Sequence, residues 1–163
     1  MSSFLESVKK LKENDDFKKI LEENQDIFLS KGFIIYENEN STWQLGYYSK
    51  EKNKFFNFVL KEKIYAEESQ KFSEEEVKKL NLKKIKTDIK DILLIIEKIR
   101  KKKYSLEKIE KIIIILQTIK NQTIWNTTCL TKNFKTINMK INAINKKLIS
   151  SEIKSIFDIK KLR

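Results

Sequence analysis

The residues of this sequence most able to do chemistry are its carboxylate clusters, Asp15-Asp16, Glu22-Glu23, Glu67-Glu68 and Glu74 to Glu76. Acid–base catalysis needs two carboxylates converging on a cleft with their pKa values pushed apart. These clusters fall at helix ends or in polar stretches, so they are expected to be solvated surface. The chain has no histidine, which removes Ser–His and Cys–His nucleophile pairs, imidazole metal ligands and a histidine general base. Its only glycines are Gly32 and Gly46, too few for a phosphate-cradling loop or a dinucleotide fingerprint. The single cysteine, Cys129, offers neither an internal disulfide nor a metal framework, and its strand-like surroundings predict a buried structural thiol. No enzyme activity, no metal and no cofactor are expected.

What remains is charge. The net charge of +12 is unevenly spread. Residues 1–82 hold 14 Lys and 16 acids, whereas residues 83–163 hold 21 Lys plus Arg and 7 acids, giving −2 and +14. Lys83, Lys84, Lys86 and Lys90, with Arg100, Lys101, Lys102 and Lys103, bracket a predicted helix and form a candidate anionic-ligand patch. An anionic partner, nucleic acid or a lipid surface, would suit such a half. The plainer reading is compositional, because the chain is crowded with Lys, Ile and Asn, and Arg100 and Arg163 are its only arginines. Arg is the preferred residue for bidentate phosphate and base contacts. Trp43, Trp125, Tyr47, Tyr48, Phe55, Phe56 and Phe58 could stack on bases. Most of them lie in the slightly acidic half, apart from the lysines, so core packing is expected of them.

The elements that would position these groups follow from periodicity. Phe4, Leu5, Val8 and Leu11 predict a first helix, and Phe17, Ile20, Leu21 and Phe28 a second after a break at residues 14–16. Asp15 or Asp16 is the expected cap, and Gly32 the expected end. Strands then follow at 33–36, 42–48 and 54–60, with Ile64 and Tyr65 extending or following the last, an antiparallel meander with one apolar and one wet face. Ser73 with Glu76 predicts a short capped helix ending near Leu80. A stronger helix is predicted over 87–100 from Ile89, Ile92, Leu93, Ile96 and Ile99. The β-branched run 112–116 favours a buried strand. Further strands are expected at 123–131, 134–143 and 148–149, with a short helix in the tail to Arg163.

The expected fold class is therefore α+β, two tandem helix-plus-antiparallel-meander units, each a helix packed on a three- to four-stranded sheet, over residues 1–82 and 83–163. Trp43 and Trp125 hold matching places 82 residues apart. Phe56, Phe58 and Leu60 match Ile137, Met139 and Ile141. The stretch from Trp125 to Ile153 resembles a PepSY-type domain, above all in residues 137–149. There an alternating strand is followed by an Asp-Ala-x-Thr-Gly-like turn and a short apolar strand. Asn142 stands where the family has an acidic residue and Lys146 where it has glycine. The first half resembles the family in layout alone. The family occurs in propeptides of secreted peptidases and in envelope proteins, and is associated with binding or inhibiting peptidases. The resemblance implies a non-catalytic role and carries over no catalytic residue.

These readings converge on a non-catalytic protein- or peptide-binding module, with a basic nucleic-acid or anionic-surface binder acting through residues 83–163 as the alternative. No apolar run approaches the roughly eighteen residues of a membrane span, and the first residues lack the basic and apolar regions of a signal peptide. A cytoplasmic setting is expected, and the Asn-x-Thr matches at Asn40 and Asn126 are read as chance.

Overall fold

The strands alternate between a face that helices cover and a face that they do not, and this division sets where a ligand could sit. The computed structural model describes residues 1–161. Two helices, α1 (Phe4–Lys12) and α2 (Asp15–Glu23), precede a meander of β1 (Phe28–Tyr36), β2 (Gln44–Ser49), β3 (Lys54–Leu60) and β4 (Ile64–Gln70). After an irregular segment and a single 3-10 turn at Leu82–Lys84 comes α3 (Ile89–Lys103). A second meander follows, with β5 (Ile109–Ile119), β6 (Gln122–Thr131), β7 (Lys135–Asn142) and β8 (Leu148–Ser155), and α4 (Ile156–Lys161) comes after it. The last two residues of the predicted tail helix lie outside the described residues.

All eight strands form one antiparallel sheet in the order β4-β3-β2-β1-β5-β6-β7-β8. The two tandem helix-plus-meander units expected from the sequence, which left open whether they share a sheet, are corrected to one continuous sheet: the meanders fuse where β1 pairs with β5, from Lys31 opposite Gln117 to Tyr36 opposite Ile112. Each meander alone would expose an apolar edge, Phe33 to Ile35 in one and Ile112 to Ile115 in the other. Pairing the two edges satisfies their backbone groups and shields their side chains.

The covered face can be read along one row of partners, Phe58, Leu45, Gly32, Leu116, Trp125 and Ile141. Phe4, Val8 and Leu11 of α1, Phe17 of α2, and Ile89, Ile92 and Ile96 of α3 pack on this face in one continuous core. Burying each such side chain stabilises the fold by about 1.5–3 kcal/mol. Gly32 does not end a helix, as the sequence suggested, but lies inside β1 without a positive φ. Its need for no side chain is steric: a Cβ would stand 2.3 Å from Phe4 Cε2 and 3.2 Å from Trp43 Cζ3.

The correspondence between the halves survives in three dimensions. Phe33 and Ile115, 82 residues apart, are direct partners at the seam. Trp43 and Trp125, also 82 apart, meet across it with ring centroids 6.1 Å apart. Trp43 Nε1 donates to Ser2 O (3.2 Å), and Trp125 Nε1 donates to Thr87 Oγ1 (2.8 Å). Ser2 and Thr87 each precede the N-cap of the leading helix of their half, Ser3 and Asp88, and both caps form capping boxes. Each indole thus ties down the start of the helix that covers its own meander.

Three local expectations are corrected. Asn14, not Asp15 or Asp16, caps α2 by accepting from Phe17 N (2.9 Å). Phe28 begins a strand rather than continuing α2. No helix forms at residues 73–80, where Ser73 Oγ accepts from Glu75 N in a local turn (3.1 Å). A helix that short depends on tertiary packing, and Phe72 and Glu74 to Glu76 are exposed.

Candidate binding site

The second face of the sheet carries the residues of opposite parity. Phe33 pairs with Ile115 and Ile35 with Ile113, and these four make an apolar tile at the seam. They lie outside the core that α1, α2 and α3 cover, and Ile35 is 42% exposed. The rim is polar. Asn138 Nδ2 donates to Asn126 Oδ1 (3.0 Å) and Thr128 Oγ1 (3.2 Å), fixing the surface beyond β5.

At the end of this face where β1 starts and β5 stops, the chain leaving β4 crosses over and makes a wall. Leu80 anchors the crossing, with its side chain in the core and its N–H donating to Leu29 O (2.8 Å). Lys78 Nζ donates to Asn121 Oδ1 (2.8 Å). Between wall and sheet lies a groove of about 580 Å³, lined by Lys31, Phe55, Gln117 and Ile119 from the strands and by Phe72 and Val77 from the crossing segment. Phe72 is 92% exposed, an unusual position for a large apolar side chain at the mouth of a concavity.

Lys31 gives the groove its polarity. Its aliphatic stem runs over Gly46, where a Cβ would approach Lys31 Cγ to 2.7 Å. Its ammonium sits over the Phe55 ring, 4.2 Å from the centroid, an attractive arrangement for a partly desolvated cation. No carboxylate among the described residues lies within ion-pairing distance of it. Burial lowers its pKa from the ordinary lysine value, because desolvation disfavours the charged form. Lys71, Lys78 and Lys120 also line the groove, against Glu75 and Glu76. The buried hydroxyl of Thr118, another lining residue, makes no hydrogen bond among the described residues.

The predicted basic patch is divided. Lys83, Lys84, Lys86 and Lys90 surround the start of α3, while Arg100, Lys101, Lys102 and Lys103 occupy its last turn. Lys90 and Arg100, the facing members of the two groups, are about 15 Å apart along the axis at 1.5 Å per residue. Arg100 is engaged within the fold, with Nη2 on Glu97 Oε1 (2.6 Å), Nε on Glu97 Oε2 (2.8 Å) and Nη1 on Glu107 O (3.0 Å). Lys103 Nζ donates to Ser151 Oγ (3.3 Å). Lys83, Lys84, Lys86, Lys90, Lys101 and Lys102 are exposed.

The aromatic set is divided as well. Trp43, Trp125, Tyr47, Phe56 and Phe58 are in the covered core, with Phe17 edge-on to Tyr47 and Phe58 at 5.1 and 5.0 Å. Tyr48 and Phe55 lie on the open face, 5.1 Å apart. Among the described residues no three His, Cys, Asp or Glu side chains gather as a metal site would require. Asp15-Asp16 and Glu22-Glu23 lie at the two ends of α2, and Glu68 pairs with Lys54 at 2.8 Å. Cys129 is fully buried, and burial pushes its thiol up to about 12. No described helix is long and apolar enough to cross a membrane.

Sequence reading missed Lys31, Gly46 and Phe72 as a group. The available signal was a charged residue within Ser30-Lys31-Gly32-Phe33, a run that turns out to be strand throughout.

No family profile matches the chain, and no curated protein does. A solved structure with the same fold is that of a "putative lipoprotein" from Clostridium difficile 630, 11% identical, with a TM-score of 0.57 over 86% of this chain and 91% of that one.

Proposed function

We propose that this chain is a non-catalytic binding module that holds a protein or peptide segment in the groove at the end of its open sheet face. The observation that carries the reading is the groove itself, where an exposed phenylalanine and an unpaired lysine converge on a concavity built on rigid strands. Apolar anchors with one or two placed polar groups are how such sites gain affinity and orientation. The outermost strands β4 and β8 supply a second means of contact, since an edge offers main-chain hydrogen bonds to an added strand.

The PepSY resemblance agrees with this role. Asn142 Oδ1 accepts from Ile144 N (2.8 Å) and Asn145 N (3.2 Å), the turn-capping work an aspartate would do there. Lys146 has φ of 65°, a conformation that favours the glycine of the family pattern. The cytoplasmic setting read from the sequence belongs to the same proposal. The structural neighbour's description as a lipoprotein points instead toward a membrane surface, and cell fractionation decides between them.

The test is an array of twelve-residue peptides probed with the purified chain and with Phe72→Ala. Because Phe72 is almost fully exposed, its removal leaves the fold intact, and binding is expected to weaken about tenfold or more, as for an interface anchor worth over about 1.4 kcal/mol. An array with no peptide above background, or peptides bound equally by both proteins, refutes the groove as the binding site.

A further inference from the structure

We propose that Lys31 is an anion receptor selecting a carboxylate within an apolar peptide segment, an inference that rests on the binding role above and names what the groove takes. The ammonium is held in place before any ligand arrives, by Gly46 beneath its stem and Phe55 beneath its nitrogen. Its single charge is half-buried and unmatched by any carboxylate of the described residues. A buried charge without a counter-ion is unfavourable, and an incoming carboxylate removes that penalty while gaining a charge-assisted hydrogen bond.

The surroundings specify which anion. Forked, bidentate capture of a phosphate needs a guanidinium group, and no arginine lines this groove. Glu75 and Glu76 stand on the wall and offset two of the four lining lysines, Lys31, Lys71, Lys78 and Lys120. Phe55, Phe72, Val77 and Ile119 favour aliphatic or aromatic neighbours on either side of the charge. A glutamate or aspartate flanked by apolar residues, or a chain-terminal carboxylate after them, satisfies all of these conditions.

The experiment uses a bead library of octapeptides with Phe, Leu, Ile and Val varied around a central Glu, and the same library with Gln. Wild-type protein is expected to retain Glu peptides about tenfold more tightly than their Gln twins. Lys31→Met keeps the stem over Gly46 and Phe55, so it should fold normally and bind both twins with the weaker affinity. Binding of a Glu peptide should also raise the Lys31 pKa, followed by ¹⁵N NMR of the side-chain nitrogen, which a merely structural lysine would not show. Equal retention of Glu and Gln twins overturns the carboxylate receptor and leaves the binding module standing. Failure to retain any peptide of either library overturns both. Hexanoate binding as tightly as the best Glu peptide overturns the peptide and assigns the site to a small organic acid.

Discussion

Gly32→Ala tests how the fold is assembled, because one methyl group placed there meets both a helix and the tryptophan pair. The added Cβ would lie 2.3 Å from Phe4 Cε2 and 2.7 Å from Cδ2, well inside the roughly 3.5–4.0 Å of a relaxed carbon–carbon contact. Phe4 is 1% exposed and itself packs edge-on against Trp43 at 5.2 Å, so the ring has no free direction to yield. Overpacking of this kind costs about 1–3 kcal/mol. Full expulsion of the ring would approach the roughly 3–5 kcal/mol of a Phe→Ala truncation. The stiffer unfolded chain of an alanine returns about 0.4–1 kcal/mol, because Gly32 does not need a positive φ. At mid-range the overpacking cost less this gain leaves a net loss of about 1.3 kcal/mol, read as a lower urea midpoint at unchanged slope. For a chain of this size it lowers Tm by about 2–4 °C per kcal/mol. The double variant Phe4→Ala with Gly32→Ala isolates the cause: with the ring gone, the alanine should cost far less, only the 3.2 Å approach to Trp43 Cζ3 remaining. Additive losses, or a single variant as stable as the parent, would refute the packing argument.

Three further outcomes are expected. Burial raises the Tyr47 phenol to about 12 from 10.0 and the Cys129 thiol to about 12 from 9.0. Both groups therefore keep in the folded state a proton that the unfolded chain gives up, so their contribution is full below pH 9 and is lost as pH climbs toward 12. Urea titrations across that range should show falling stability, and Ellman's reagent should reach Cys129 only on unfolding. Glu75→Gln with Glu76→Gln removes like charge from the groove wall, so acidic octapeptides should bind more tightly and their Gln twins unchanged; fluorescence polarisation reads the difference, and equal shifts for both would count against Lys31 as receptor. Reversing Lys83, Lys84, Lys86 and Lys90 to Glu tests the nucleic-acid alternative, because these exposed cations lie away from the other basic cluster. Labelled RNA is expected to bind neither protein at physiological salt, and steeply salt-dependent binding lost in the variant would favour that alternative.

The meanders, the amphipathic α3 and the matched tryptophans were legible because each is a local pattern: alternation within a strand, a stripe on a helix, a polar turn between apolar runs. Gly32 was misread for the same reason. After a helical stripe a glycine is a natural stop, and only the distant Phe4 and Trp43 rings reveal that the position needs an absent side chain instead. The fusion of the two sheets was equally out of reach, since Phe33 and Ile115 are separated by most of the chain and nothing in either strand names its partner.

The groove fails the same test of locality in a stronger form. Lys31, Gly46, Phe55, Phe72 and Gln117 come from five separate segments, and none is conspicuous alone. Lys31 is one of many lysines in a lysine-rich chain, whereas the residues that stood out by density, the clusters at the two ends of α3, are largely solvated or paired within the fold. Abundance in sequence therefore pointed away from the lysine with the most constrained surroundings. A half-buried, positioned and unpaired charge does more to orient a ligand than several exposed ones, whose attraction is screened within about 8 Å at physiological salt. On that ground Lys31, rather than the excess of charge in residues 83–163, is where selectivity should reside.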